Sequence, residues 1–317
     1  MGLSVFGPVW DGCGVRGFSG EGYWFHKWVP GLSFDGSTFV AKTITRHPNV
    51  GNMELREDYT PQYRFPDCVS VYPFSGVALN SVGLSGPGIE AFLKTGRWQS
   101  IQKPFFLSFM PISKDGEGAQ EREATGFVEI LGPELPDFAS EYLGLQLNVT
   151  CPNVGADLGT VVKKAEKFLS LLAPLQIPIV VKLNLLVSPE AALEIAKHPA
   201  TSGICIANTI PFGELPNRIP WKGYFPDGSP LVKRDYGGGG LSGTPLLPLV
   251  AEWVARFRKR DANTYINAGG GVMHADDVDV LMNEGANSIF FATVAMLRPW
   301  RVPSIIARAH EISEKEH

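Results

Sequence analysis

The chain has 317 residues, 44% apolar and 19% charged, with a formal net charge of −4, enough to bury a large core and too few scattered Lys and Arg to present a nucleic-acid face. Its four cysteines (Cys13, Cys68, Cys151, Cys205) lie far apart without a Cys-x-x-Cys, which excludes a zinc or iron–sulfur signature and fits a reducing compartment. Residues 1–6 lack the basic start and long apolar core of a signal peptide and no run approaches a membrane span, so a cytoplasmic protein free of membrane and metal is expected.

Residues 5–10 read as a short strand ending in the turn Asp11-Gly12-Cys13-Gly14. The aromatics Tyr23, Trp24, Phe25 and Trp28 fit one helix closed by Pro30-Gly31. A second strand at 38–41 ends at Lys42, and the run from Thr43 to Asn52 is too polar for core. Residues 53–73 lack periodicity and read as a long functional loop. A strand at 77–79 leads into Asn80-Ser81-Val82-Gly83-Leu84, and a helix begins within 88–93. Residues 104–109 form the continuous apolar run of a buried parallel strand, followed by a charged loop at 111–121.

The stretch Leu145-Gln146-Leu147-Asn148-Val149-Thr150-Cys151-Pro152-Asn153 begins as a strand and ends in a proline-stiffened turn with a thiol between two asparagines. Val161, Ala165, Phe168, Leu169 and Leu172 then recur at helical spacing, with Lys163, Lys164 and Lys167 outside. A strand at 177–183 ends at Lys182-Leu183-Asn184, and Ser188-Pro189 is a helix start with Ser as cap. A strand at 203–207, with Cys205 in the core, ends at Asn208-Thr209. Residues 210–236, rich in Pro, Gly and aromatics, read as an excursion away from the barrel argued for below, and the glycine cluster at 237–243 precedes a helix carrying Val250, Trp253, Val254 and Phe257. A strand at 265–268 runs into Gly269-Gly270-Gly271, and a last strand at 287–291 ends at Ala292-Thr293. Roughly eight strands alternate with helices or long loops, and no Gly-x-Gly-x-x-Gly follows the first. That predicts an α/β fold: a (β/α)8 TIM barrel, one domain over residues 1–317, with loop insertions at its carboxyl face.

The chemistry-bearing residues end strands: Lys42, Asn80, Asn148 with Cys151, Lys182, and Asn208 with Thr209. In a barrel they converge on one site. The late glycine clusters and Thr293 offer backbone N–H groups to a phosphate. Lys182 follows Val180-Val181, and a buried ammonium needs a partner, either an electron-rich cofactor or an unseen carboxylate. Cys151 reads either as a reactive thiol or as a small core residue.

The run from Asn148 to Asn153 resembles the active-site motif of the dihydroorotate dehydrogenases, the FMN enzymes of pyrimidine synthesis, in the branch with a cysteine base. Asn80-Ser81-Val82-Gly83-Leu84 looks like the same family's substrate loop. The resemblance implies that Cys151 is the catalytic base, with Lys42 beside flavin and substrate. It implies that Lys42, Asn80, Ser81, Gly83, Leu84, Asn148, Asn153, Asn208 and Thr209 hold dihydroorotate or orotate. FMN would then be held by Lys42, Thr43, Asn148, Lys182, Ala207, Gly243, Gly270, Gly271, Ala292 and Thr293. The implied reaction removes the C5 proton to Cys151 and a hydride from C6 to flavin N5. A homodimer is implied too, and the electron acceptor is either fumarate or NAD reached through a separate iron–sulfur flavoprotein subunit.

Four features depart from the family pattern. The first turn differs from its Asn-Ala-Ser-Gly-like run, the start is short, Ala292 stands where glycine is common, and 53–73 is long. They leave open a related flavin oxidoreductase acting on another dihydropyrimidine. Two rivals also stay open: a flavin-free barrel lyase or aldolase with Lys182 as Schiff base, and a flavin-binding protein without turnover.

Overall fold

The computed structural model describes residues 2–116, 118–149 and 158–315. Twelve strands among the described residues run in chain order: β1 (Val9–Asp11), β2 (Phe39–Val40), β3 (Val69–Tyr72), β4 (Val77–Asn80), β5 (Phe105–Phe109), β6 (Leu143–Asn148), β7 (Ile179–Asn184), β8 (Thr201–Asn208), β9 (Ile210–Pro211), β10 (Gly240–Gly243), β11 (Tyr265–Gly269) and β12 (Ser288–Phe291). Helices α1 (Ile89–Leu93), α2 (Ala119–Glu134), α3 (Leu158–Leu172), α4 (Pro189–Ala196), α5 (Trp221–Tyr224), α6 (Leu247–Arg258), α7 (Asp276–Asn283), α8 (Thr293–Leu297) and α9 (Val302–Lys315) lie between or after them.

Eight strands form one parallel sheet in the order β1-β12-β11-β8-β7-β6-β5-β2. A parallel bridge from Trp10 to Thr38 joins its two ends, the Asp11 N–H donating to the Thr38 carbonyl at 2.8 Å and the Thr38 N–H to Val9 at 2.9 Å. The sheet therefore closes into a (β/α)8 barrel. Strands β5, β6 and β7 are buried along their whole length; β5 and the start of β7 therefore read as near-continuous apolar runs, whereas β6 alternates leucine with Gly144, Gln146 and Asn148. The barrel is plugged by its own cluster of Leu3, Phe6, Trp10, Val40, Phe106, Val180, Cys205 and Phe290, and a larger cluster fills the space between strands and helices. Gly144 makes room for that plug: a Cβ there would sit 2.2 Å from the Phe106 ring. Ser188 caps α4 as its sequence predicts, accepting from the Ala191 N–H at 3.3 Å.

Five local expectations are corrected. Residues 5–10 are not one strand: Leu3–Phe6 is a 3-10 turn that sends Phe6 into the plug, and β1 begins only at Val9. The aromatics at 23–28 give a single 3-10 turn, His26–Trp28, since Gly20 and Gly22 at positive φ and Pro30 leave too short a run for a helix. Residues 53–73 are not loop throughout, because Val69–Tyr72 pairs with β4 as a hairpin. The 77–79 strand lies outside the barrel, in a separate antiparallel sheet ordered β3-β4-β10-β9. Half of the glycine cluster is strand β10 in that sheet, and Gly243 is required there because a Cβ would meet the Gly76 carbonyl at 2.1 Å. Residues 210–236 leave the barrel sheet as expected, Ile210–Pro211 joining the second sheet, while Ile210, Ile219, Phe225 and Leu231 are buried in the main core. This second sheet is built from the insertions after β2 and β8, both of which leave the carboxyl ends of barrel strands. No helix among the described residues is long and apolar enough to cross a membrane.

Candidate active site

The carboxyl mouth of the barrel carries a buried polar network. Asn148, ending β6, donates to the Thr43 hydroxyl at 2.7 Å and to the Ser108 hydroxyl at 3.2 Å, and Thr43 and Ser108 lie 2.9 Å apart. Asn208, ending β8, donates from its side-chain amide to the Asn148 side-chain oxygen at 3.5 Å, while its own side-chain oxygen accepts from the Thr209 N–H at 3.0 Å. Four strand ends meet here because inward-pointing residues alternate along every strand of a barrel.

Lys182, next along on β7, is only 4% exposed and lies over the Phe290 ring at 5.0 Å. Among the described residues no carboxylate lies within ion-pair distance of it. Its ammonium instead meets the Cys13 sulfur at 3.3 Å. Burial pulls the Lys182 pKa down, but the neighbouring sulfurs of Cys13 and Cys205 more than reverse this and leave it above the ordinary lysine value. Burial likewise pushes the Cys13 thiol up, and Lys182 with hydrogen bonds from Thr43 and Asn148 brings it below its ordinary range. The turn bearing Cys13 is fixed from behind by Asp11, which pairs with Arg16 and accepts from the Ser37 hydroxyl at 2.7 Å.

Lys42 is half-buried over the Phe18 ring at 4.6 Å and donates to the Ser85 carbonyl. Burial holds its pKa down at about 8. The Ser81–Leu84 segment beside it is clamped by two asparagines. Asn49 donates to the Gly83 carbonyl at 2.7 Å, Asn52 to the Ser81 carbonyl at 2.6 Å, and the Ser81 hydroxyl to the Tyr236 carbonyl at 2.7 Å. Leu84 and Gly83 both take positive φ in this loop, 59° and 69°. Asn80 ends β4 opposite Gly240, over which Thr209 is packed, so the second sheet carries Asn80 toward the Asn208 strand end.

The glycine turns also gather. A Cβ on Gly271 would lie 2.5 Å from the Leu247 N and 3.0 Å from the Gly243 carbonyl, so these two turns touch through backbone alone. Gly12 donates its N–H to Phe291 at 2.7 Å and abuts Ala292, joining the β1 turn to the end of β12, where Thr293 is buried. Gly270 approaches Leu246 and Val250 at the start of α6, and Ala207 is buried at the end of β8. Cys151 and Asn153 lie outside the described residues. Sequence reading had singled out neither Ser108 nor the clamps Asn49 and Asn52, although the polar 43–52 run was a signal for the last two. Cys13 was read as a departure in the first turn, without its contact to Lys182.

The family model for dihydroorotate dehydrogenase matches residues 14–312. The dihydroorotate dehydrogenase B (NAD(+)) catalytic subunit of Geobacillus kaustophilus is 28% identical over 312 residues, 96% of this chain and 87% of that protein. The subunit of the same name from Latilactobacillus sakei is 29% identical over 311 residues, 96% of this chain and 89% of its own length. That from Bacillus mycoides is 28% identical over 315 residues, with 96% and 87% covered. The match spans every barrel strand after β1 and the mouth just described except the Asp11–Cys13 turn that precedes it, and the chain belongs to the dihydroorotate dehydrogenase family, oxidoreductases acting on a CH–CH bond.

Proposed function

We propose that this chain, as a single domain, oxidises dihydroorotate to orotate at the carboxyl mouth of its barrel with FMN as cofactor. The observation that carries the reading is the meeting of Lys42, Asn148, Lys182 and Asn208 at one mouth, with an ammonium that has no carboxylate partner among the described residues. That donor set fits a flavin: a fixed cation for its electron-rich edge, amides and hydroxyls for its ring, and side-chain-free turns at Gly243 and Gly271 for its phosphate. Gly270, Ala292 and Thr293 would complete the phosphate turns, and Thr43 and Ala207 would border the ring.

FMN, when bound, supplies the acceptor for the hydride leaving C6 of the substrate. The remaining work falls to the chain. Asn80, Asn148, Asn153, Asn208 and Thr209 would read the donors and acceptors of the pyrimidine, whose ring carries both. Lys42 would meet its carboxylate, with Ser81, Gly83 and Leu84 closing over it. Cys151 would take the C5 proton as general base. The Schiff-base rival needs a lysine that readily becomes neutral, and Cys13 pushes Lys182 the other way. The relatives are catalytic subunits that carry NAD(+) in their name, so we assign electron transfer to NAD through a partner subunit, with a cytoplasmic homodimer of this chain as its core.

The test is an anaerobic visible spectrum of the FMN-loaded protein before and after dihydroorotate. Bleaching of the flavin band near ~450 nm is expected. A yellow protein that stays yellow with dihydroorotate but bleaches with another dihydropyrimidine would overturn the substrate. A colourless protein that takes up no FMN would overturn the cofactor as well.

A further inference from the structure

Lys182 poses an electrostatic problem that Cys13 solves. A buried ammonium is costly to hold unless an opposite charge and hydrogen-bond acceptors replace the water it has lost. With no carboxylate within ion-pair distance among the described residues, the ionisable group in contact with it is the Cys13 sulfur, 3.3 Å away. The same sulfur accepts from the Thr43 hydroxyl at 3.6 Å. Thr43 in turn accepts from Asn148 at 2.7 Å, and with the Ser108 hydroxyl, 2.9 Å away, as the donor in their pair, its own proton points at the sulfur. An atom approached by two donors is placed as an acceptor. The turn that presents it is wedged in position, with Gly12 against Ala292 on one side and Gly14 against the Lys42 side chain on the other.

We propose that Cys13 is a positioning residue for Lys182: its sulfur, carried as a thiolate, holds the ammonium at the flavin edge and offsets its charge, so the pair sets how strongly the site prefers reduced over oxidised FMN. This rests on the flavin reading above and deepens it. A fixed cation beside the flavin favours the reduced cofactor, which gains negative charge. A thiolate in contact with that cation cancels part of the preference, and removing it restores the full effect. Opposite charges at this range shift a charge equilibrium by roughly one to three tenfold steps. Cys13 is half-buried as a residue, whereas Cys68 and Cys205 are buried.

The experiment uses the wild-type protein with the Cys13→Ser and Cys13→Ala variants. The flavin midpoint potential of each FMN-loaded protein is measured by dye equilibration, and FMN affinity by fluorescence. In both variants the potential should rise by the equivalent of about tenfold or more in the ratio of reduced to oxidised FMN affinity. Serine should retain oxidised-FMN affinity within about threefold, since its hydroxyl still accepts from Lys182, while alanine should lose about tenfold. Iodoacetamide labelling of the FMN-free wild-type, read by mass spectrometry, should modify Cys13 at neutral pH ahead of Cys68 and Cys205, with FMN protecting it. An unchanged potential in both variants overturns the proposal while leaving the flavin reading intact, and so does a Cys13 that labels no faster than Cys205. A wild-type protein that takes up no FMN overturns both.

Discussion

Asn148 donates to the Thr43 hydroxyl at 2.7 Å, and so ties the end of β6 to the segment after β2 across the intervening strand β5. Ser108 of β5 sits beneath the bond and shares both partners. The mouth of the barrel is thus braced by side chains as well as by the sheet.

Replacing Asn148 with alanine leaves the two hydroxyls without their amide donor in a buried place. A loss of about 1–3 kcal/mol in stability is expected, the usual cost of stranding a buried polar group. Because the same amide faces the proposed ligands, orotate affinity should fall at least tenfold. Urea denaturation and orotate titration of the variant check both effects. A variant as stable as wild-type with unchanged orotate binding would show that the brace is dispensable.

Lys42, whose pKa burial lowers to about 8 from 10.5, gives two pH effects of opposite sign. Below pH 8 the folded and unfolded chains both carry the proton. Between pH 8 and 10.5 only the unfolded chain still binds it, so this residue's contribution to stability becomes more favourable as pH rises through that window. Binding should run the other way, since the proposed anionic substrate would lose its cationic partner once Lys42 deprotonates. The orotate dissociation constant should be flat below pH 8 and rise above it, whereas Lys42→Met should bind about tenfold more weakly at neutral pH and lose that alkaline limb. Orotate titrations across this range decide the matter.

Gly271 has φ +88° and no room for a side chain, a Cβ falling 2.5 Å from the Leu247 N. Gly271→Ala should cost about 2 kcal/mol or more through backbone strain and displacement of α6, and should lower FMN retention. Gly132, inside α2 with nothing within 4 Å of its would-be Cβ, is the control. There alanine should be neutral or stabilise by up to ~1 kcal/mol. Thermal melts of the two variants should move in different directions.

Cys151 is the base proposed from its motif. A free thiol titrates near ~8.5, so kcat should rise toward that pH. Cys151→Ser should lower kcat about a hundredfold or more, since an unassisted hydroxyl is a much weaker base, and should flatten the rise. Retention of full activity with the same profile would remove Cys151 from the reaction.

The barrel was readable in the chain because its signals are local. Predominantly apolar runs at 104–109 and 177–183 become strands buried on both faces, and Ser188-Pro189 caps α4 through contacts three residues away. The polar residues at strand ends were equally readable, because the strand's carboxyl end is where a barrel has no helix to cover it. Strand β10 was not, since a run of glycines has no side-chain periodicity to reveal it and its register comes from partners at Val77–Asn80 and Ile210–Pro211. Nor could the chain reveal that Lys182 would meet a sulfur instead of a carboxylate. Cys13 sits in the turn after β1 and Lys182 lies on β7, at different points of the barrel's circumference, and their contact exists only because closure through Trp10 and Thr38 brings β1 round to face β7 across the mouth. Periodicity and capping are set by neighbours along the chain; which charge a buried ammonium finds is set by how the sheet closes.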